Sequence, residues 1–379
     1  MVISGFAVSA WGDTQTADTR DLASPPPIFV PLEQTRTLPS MLERMAQYRV
    51  IVVGETHDRA DHHENQLQII RGLHERGVDL AVGLEFFQRP FQGALDDYVT
   101  GRLDEAQMLR ATEYYLRWGF DYRLYRPILR YAREQGIPLV ALNMEREITA
   151  AVSEQGLDGL SAAQQARLPE SMTRGLPGYA ERLRAVFAAH PPPQDRERDF
   201  ARFLAVQLLW DETMAETAAR YLQAHPGKRM VLLAGSGHVT ATGIPLRLER
   251  RIGAGQVFSV LQTDGRLIAS DEAHGLLLSR ERRLPAAGRL GIVMQDAPSG
   301  GVVARDVQEG SAADRAGLKT GDVLVRLAGE PVRDTVDVRW LLLDRQPGEV
   351  VTVRLRRPAL FGGHNEKTLQ VTLGGAEHE

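Results

Sequence analysis

Four short runs of apolar, β-prone residues constrain this chain most: Val50 to Val53, Leu80 to Gly83, Pro138 to Leu142 and Met230 to Ala234. A strand with one wet face alternates apolar and polar residues, whereas these runs are continuous, as expected of strands covered on both faces. Long helical stretches between them supply the crossovers that a parallel sheet needs. Residues 103 to 135 place Tyr115, Trp118, Tyr122, Tyr125 and Leu129 at spacings of three or four, and residues 199 to 223 place Phe203, Gln207, Trp210 and Met214 on one face. "HPPPQDRERD" at 190 to 199 reads as an exposed turn before the second of these. The expected fold class is α/β, a mainly parallel sheet with a large helical cap.

In open parallel sheets, ligands sit beyond the carboxyl ends of the strands. The residues there are Glu55 and His57, then Glu85, then Asn143, then Ser236 and His238. A transition-metal site needs imidazole and carboxylate ligands converging from rigid elements. His57, Glu85 and His238 could supply them, leaving Glu55 as a base for an activated water. The structural alternative is a polar cluster in which Glu55 caps a helix and the two histidines hydrogen-bond across strand ends.

"DRADHHENQ" follows the first run. A helix capped by Asp58 or Asp61 sets His63, Leu67, Ile70 and His74 on one face, with His62, Gln66, Ile69 and Leu73 beside them. His62 and His63 would then overhang the crevice. The aromatic stripe from Tyr114 to Tyr131 suggests a second chemistry, since haem needs an apolar slot, an axial His or Tyr, and cations for its propionates. Arg117, Arg123, Arg126 and Arg130 are interleaved with those tyrosines. The structural alternative is an amphipathic helix with an aromatic inner face.

Composition narrows the classes. The 379 residues, 43% hydrophobic and 25% charged, suit a globular protein of about two domains. A net charge of −4 offers no field to gather nucleic acid, and no partner of that kind is expected. The sequence has no cysteine, which excludes disulfides, thiolate metal sites and a lipid-modified cysteine. Residues 2 to 10 end in Val8-Ser9-Ala10 and look like the back half of a secretory signal, so export to a periplasm is expected. No stretch approaches the length of a membrane helix.

From about residue 286 the chain changes to short strands and Gly turns. "GSAADRAGLKTGDVLVRLAGEPV" closely resembles a PDZ domain. The resemblance implies that a peptide adds as a strand beside "RLGI", its terminal carboxylate on the amides around Leu290, Gly291 and Ile292. Its side chain would enter a pocket walled by Val338, Leu341 and Leu342. The domains expected are a signal remnant and linker over 1–27, an α/β domain over 28–280 and the PDZ domain over 286–375.

"VVGETHDRADHHENQ", "GLEFFQRPFQ", "WGFDYRLYRPIL", "LNMERE", "VQLLWDETMA" and "LLAGSGHV" resemble, in order and spacing, the ChaN-type haem-binding uptake family of the Tiki and erythromycin-esterase-like superfamily. The resemblance implies haem as cofactor, a role in bacterial iron acquisition, and in some members paired haems at a homodimer interface. It offers His62, His63, Tyr114, Tyr115, Tyr122 and Tyr125 as candidate axial ligands, with Arg126 for a propionate. The wider superfamily implies instead a metal- or Glu/His-dependent peptidase or esterase working through Glu55, His57, Glu85 and His238, with a divalent metal as the alternative cofactor. A non-catalytic scaffold acting through the PDZ domain is a third expectation.

Overall fold

The computed structural model describes residue 33 and residues 35–188, 196–263, 271–359 and 363–375. The signal-like segment, the linker before residue 28 and most of the turn after His190 lie outside the described residues. Two compact units are present. One runs up to Asp104 and resumes over Ala111–Arg283, and the other comprises Glu105–Arg110 and the chain from Leu284 onward.

The first unit holds a six-stranded parallel sheet of β1 (Val50–Glu55), β2 (Leu80–Gln88), β3 (Leu139–Asn143), β4 (Arg229–Gly235), β5 (Val257–Thr263) and β6 (Gly275–Leu278). Their order is β3-β2-β4-β1-β5-β6. The sheet is α/β and parallel, as the continuous apolar runs imply. Val50 and Val52 of β1, Met230 and Leu232 of β4, and Ala215, Ala218 and Leu222 of the helix Arg196–Ala224 share one buried cluster. Ile51 and Val53 point to the opposite face by the two-residue period of a strand, where the helix Ala60–His74 packs on β1 and β2. Burying a sheet on both faces is why these strands lack alternation.

The topology sets up the crevice. The chain leaves β1 and travels to β2 and β3, then returns to insert β4 between β2 and β1 before crossing to β5. The carboxyl ends of β2, β4 and β1 are therefore neighbours. At the outer edge of the sheet, the Gln92 side chain acts as a short false strand. Its Nε2 donates to Leu139 O at 2.8 Å and its Oε1 accepts from Ala141 N at 2.8 Å.

The second unit is an antiparallel sheet of β7 (Ile292–Asp296), β8 (Val302–Val307), β9 (Val323–Leu327), β10 (Glu330–Pro331), β11 (Val350–Pro358) and β12 (His364–Thr372), with β7 at one edge. Leu290, Val302, Leu324, Val353 and Val371 form its core. The helix Thr335–Leu342 starts at Asp334, whose side chain accepts from Asp337 N.

Two expectations about local structure are corrected. The aromatic stripe is not one helix. It divides into Tyr114–Arg117 and Tyr122–Glu134, because Gly119 has φ of 86° and Asp121 caps the second helix by accepting from Arg123 N. The helix after β1 begins at Ala60 behind Arg59, with no side-chain cap from Asp58 or Asp61. Asp61 instead takes a fork from Arg59 at 2.8 Å on each oxygen. It also accepts from Ser279 Oγ at 2.5 Å and from Arg282 N at 3.0 Å. Arg283 pairs with Asp58, and Arg282 O accepts from Ala60 N at 2.8 Å. The segment 279–283 is thus strapped onto the loop that follows β1.

Candidate functional site

Glu55 is the last residue of β1 and is buried. Its Oε1 receives His57 Nδ1 at 2.8 Å and Tyr125 OH at 3.0 Å, while Oε2 receives Gln66 Nε2 at 2.7 Å and lies 3.4 Å from His63 Nδ1. Burial alone would raise its pKa. The neighbouring His63 and His57, with the bonds from His57 and Gln66, overcome that and hold the carboxyl down at about 2. Glu55 is therefore a buried anion held by three hydrogen bonds.

His57 answers it. Burial would lower its pKa, but the Glu55 bond and charge, helped by Glu85, hold it above the ordinary histidine value. Its ring meets Trp118 edge-on at 4.8 Å and lies 4.7 Å from Phe120. With Nδ1 committed to Glu55, the Nε2 side of the ring remains, and 16% of the side chain is exposed. That side leans over Gly235. A Cβ there would sit 3.1 Å from His57 Nε2 and 3.6 Å from Glu85 Oε2, so the absence of a side chain makes the approach possible.

β2 runs on to Gln88, but its pairing with β4 stops at Leu84, so Glu85 is the first residue free to turn into the crevice. It accepts from Gly235 N at 2.5 Å and lies 3.5 Å from His238 Nε2. His238 follows β4 on the short helix Ser236–Val239. Its Nδ1 is 2.6 Å from Asp211 Oδ1, and Asp211 Oδ2 accepts from Tyr179 OH at 2.7 Å. Burial would lower the His238 pKa; the charges of Asp211 and Glu85 raise it above the usual value. The outcome is a chain of alternating carboxylates and imidazoles across three strand ends: Glu55, His57, Glu85, His238, Asp211.

Asp211 and Tyr179 were not among the residues the sequence singled out for chemistry. The signal for Asp211 was the pair Asp211-Glu212 inside the apolar stretch "VQLLWDETMA", where two acids on a buried helix face require partners. Glu212 finds Arg247 at 3.1 Å and Arg251 at 2.6 Å.

The other expected positions fall as follows. His62 and His63 are both buried. Thr56 N donates to His62 Nδ1 at 2.9 Å, and His63 Nε2 lies 3.1 Å from His57 O. Tyr114, Tyr122 and Tyr125 are buried, Tyr115 and Arg126 half-buried. Burial pushes the Tyr114 and Tyr125 hydroxyls well above their usual pKa, with the Glu55 charge adding to the effect on Tyr125. Asn143 caps its own turn through Met144 N, and Ser236 Oγ is buried against Gly54. In the second unit Leu290, Val338 and Leu342 are buried, while Ile292 and Leu341 are half-buried members of the same cluster beside β7.

The metal set expected of His57, Glu85 and His238 does converge, with both Nδ1 atoms on carboxylates and a Glu85 oxygen on the Gly235 amide. Among the described residues no group of three or more His, Asp or Glu side chains is placed to hold a metal ion.

A family model described as "Haem-binding uptake, Tiki superfamily, ChaN" matches residues 41–248, and one for a PDZ domain matches residues 288–373. The solved structure titled "Cofacial heme binding to ChaN of Campylobacter jejuni" covers 62% of this chain and 89% of its own, at 18% identity and a TM-score of 0.50, a likeness of fold. The Arabidopsis thaliana protein RETICULATA-RELATED 5, chloroplastic, is 25% identical over 226 residues, 55% of this chain and 30% of that protein. A probable periplasmic serine endoprotease DegP-like of Rickettsia conorii is 31% identical over 117 residues, 27% of this chain and 23% of that protein. The chain spans under a third of the length of either curated relative. Among the described residues no helix is long and apolar enough to cross a membrane.

Proposed function

Because the chain belongs to the haem-binding uptake family of the Tiki superfamily, the ChaN family, and carries a PDZ domain, we propose that it binds haem at the ends of β1, β2 and β4. On the same reading it serves haem or iron acquisition in a periplasm, and its PDZ domain takes the C-terminus of a protein partner. The observation that carries the haem reading is His57. It is an imidazole with Nδ1 fixed by Glu55, the arrangement that orients metal-ligating histidines. Its ring stands against Trp118 and Phe120, and Leu116, two residues before Trp118 in the chain, is 67% exposed. That donor set fits a haem: one oriented nitrogen and a flat apolar flank.

His57 would hold the haem iron, and Glu55 would orient the ring through its Nδ1 hydrogen. Trp118, Phe120 and Leu116 would cover the macrocycle and keep water off it. Bound haem supplies the iron centre. The buried hydroxyls of Tyr114 and Tyr125 are already committed, to Phe120 O and Glu55. The test is an absorbance titration of purified protein with haem, which should give a Soret band saturating near one equivalent and a loss of about tenfold or more in affinity in His57→Ala. No spectral change at equimolar haem overturns the reading. For the PDZ domain, peptides ending in a free carboxylate should bind and their C-terminal amides should not.

A second reading is favoured by one feature. Two imidazole–carboxylate pairs flanking a third carboxylate suit acid–base hydrolysis of an ester or peptide without a metal. Glu55 and Asp211 would orient His57 and His238, and Glu85 would share their protons. Turnover of an ester or peptide panel that disappears in Glu85→Gln supports it; a chain inert to such a panel removes it.

A further inference from the structure

Arg182 lies on the helix Tyr179–Ala188, one turn after the tyrosine that donates to Asp211. Its Nη1 donates to Gly237 O at 3.0 Å, which fixes the guanidinium beside the residue preceding His238. Its plane lies over Tyr179, 5.4 Å from the ring centre. The opposite edge, Nε and Nη2, is shut off from solvent and has no hydrogen-bond partner. Among the described residues no acid pairs with it.

That edge requires an explanation. An ionised donor taken from water and left unmet is unfavourable, and the Nε–Nη2 edge of arginine is the fork that matches a carboxylate bidentately. Arg247 provides the contrast. It too has unbonded Nε and Nη2 atoms, but it is wholly buried and its charge is met by Glu212 at 3.1 Å and Asp211 at 3.9 Å. Arg182 is half-buried at the end of β4 and has no such answer. It also stands close enough to His238 for its charge to push that ring's pKa down, against the larger pull of Asp211 and Glu85.

We propose that the Nε–Nη2 edge of Arg182 receives a carboxylate of the ligand beside His238, a propionate where the ligand is haem. This rests on the haem-binding reading above, and neither the sequence pattern nor the family match assigns this residue. A carboxylate seated there completes the guanidinium and sets the ligand's orientation in the crevice.

The test compares haem with its dimethyl ester, in which both propionates are capped, on the full chain and on Arg182→Gln and Arg182→Lys, with thermal melts to establish that each variant is folded. Wild type should bind haem about tenfold or more tighter than the ester, the range of a charge-assisted hydrogen bond. Arg182→Gln should bind the two alike, at the affinity wild type has for the ester, and Arg182→Lys should keep only part of the preference because it cannot form the fork. Equal binding of both ligands by wild type overturns the Arg182 assignment alone, as does an Arg182→Gln protein that retains the full preference. Failure of wild type to bind either ligand removes the haem reading and this assignment with it.

Discussion

Asp211 Oδ1 stands 2.6 Å from His238 Nδ1, joining the middle of a 29-residue helix to the residue that follows β4. Burial disfavours the charged ring, and Asp211 reverses the balance. In Asp211→Asn the imidazole should therefore titrate below its ordinary value instead of above it. NMR titration of the labelled ring measures this, and an unmoved midpoint would show that Glu85 alone sets the charge. The amide also loses the anion that Tyr179 and Arg247 face, at a cost of about 1–3 kcal/mol in stability.

Gly235 and Gly237 form a matched pair of tests. A methyl at Gly235 meets the His57 ring at 3.0 Å, whereas nothing lies within 4 Å of one at Gly237. Gly235→Ala should displace His57, lower haem affinity by about tenfold or more and cost about 1–3 kcal/mol in stability. Gly237→Ala should leave both near wild type. Equal behaviour of the two in the haem titration contradicts the placement of His57.

His62 makes stability depend on pH. It is buried and its pKa is held down at about 4, chiefly by burial and also by Arg59 and His63 against the pull of Asp61. A group whose folded pKa lies below its unfolded value binds its proton more readily in the unfolded chain. Its stabilisation is present above about pH 6.5 and is lost as pH falls toward 4, on the order of 3 kcal/mol in full. Urea midpoints at pH 7, 5.5 and 4.5 should drop more steeply in wild type than in His62→Gln.

His57 ties haem affinity to pH in the same direction, through a pKa shifted the other way. Its folded pKa is raised, so a proton competes for the ring above the ordinary histidine range. Haem affinity should rise as pH increases through that raised value and fall below it, as followed by Soret titrations from pH 6 to 9. A flat profile would mean that another residue ligates the iron.

Removing the Asp61 carboxylate should release the strap. Four donors converge on it from Arg59, Ser279 and Arg282. Asp61→Ala removes the buried carboxylate that holds the Arg59 fork and should cost about 3–5 kcal/mol. Trypsin should then cut at Arg280 or Arg282 well before it cuts the core, and equal cutting of wild type and variant would contradict the strap.

The parallel sheet was legible because burial on both faces leaves a local mark: Val50 to Val53 and Met230 to Ala234 cannot alternate. Glu55, His57, Glu85 and His238 were legible for a related reason, since strand ends in such a sheet are where polar groups face a crevice. Asp211 was not, because its role exists only once a helix distant in sequence is laid across the sheet. The aromatic stripe misled because spacing of three or four persists through Gly119, whose left-handed backbone breaks the helix without disturbing the apolar rhythm. The helix cap was misassigned for a similar reason. Asp61 has the composition of a cap, but Arg59 and a segment more than 200 residues further along the chain compete for it.

Gln92 has a consequence for assembly. By occupying Leu139 O and Ala141 N it removes hydrogen-bonding sites along the β3 margin that another chain's strand would use. The far margin, β6, has no such plug among the described residues, and it carries Leu276 and Leu278 outward. The two margins of the sheet therefore differ: on the β3 side a side chain already holds two of the groups a further strand would pair with, and on the β6 side two leucines are exposed.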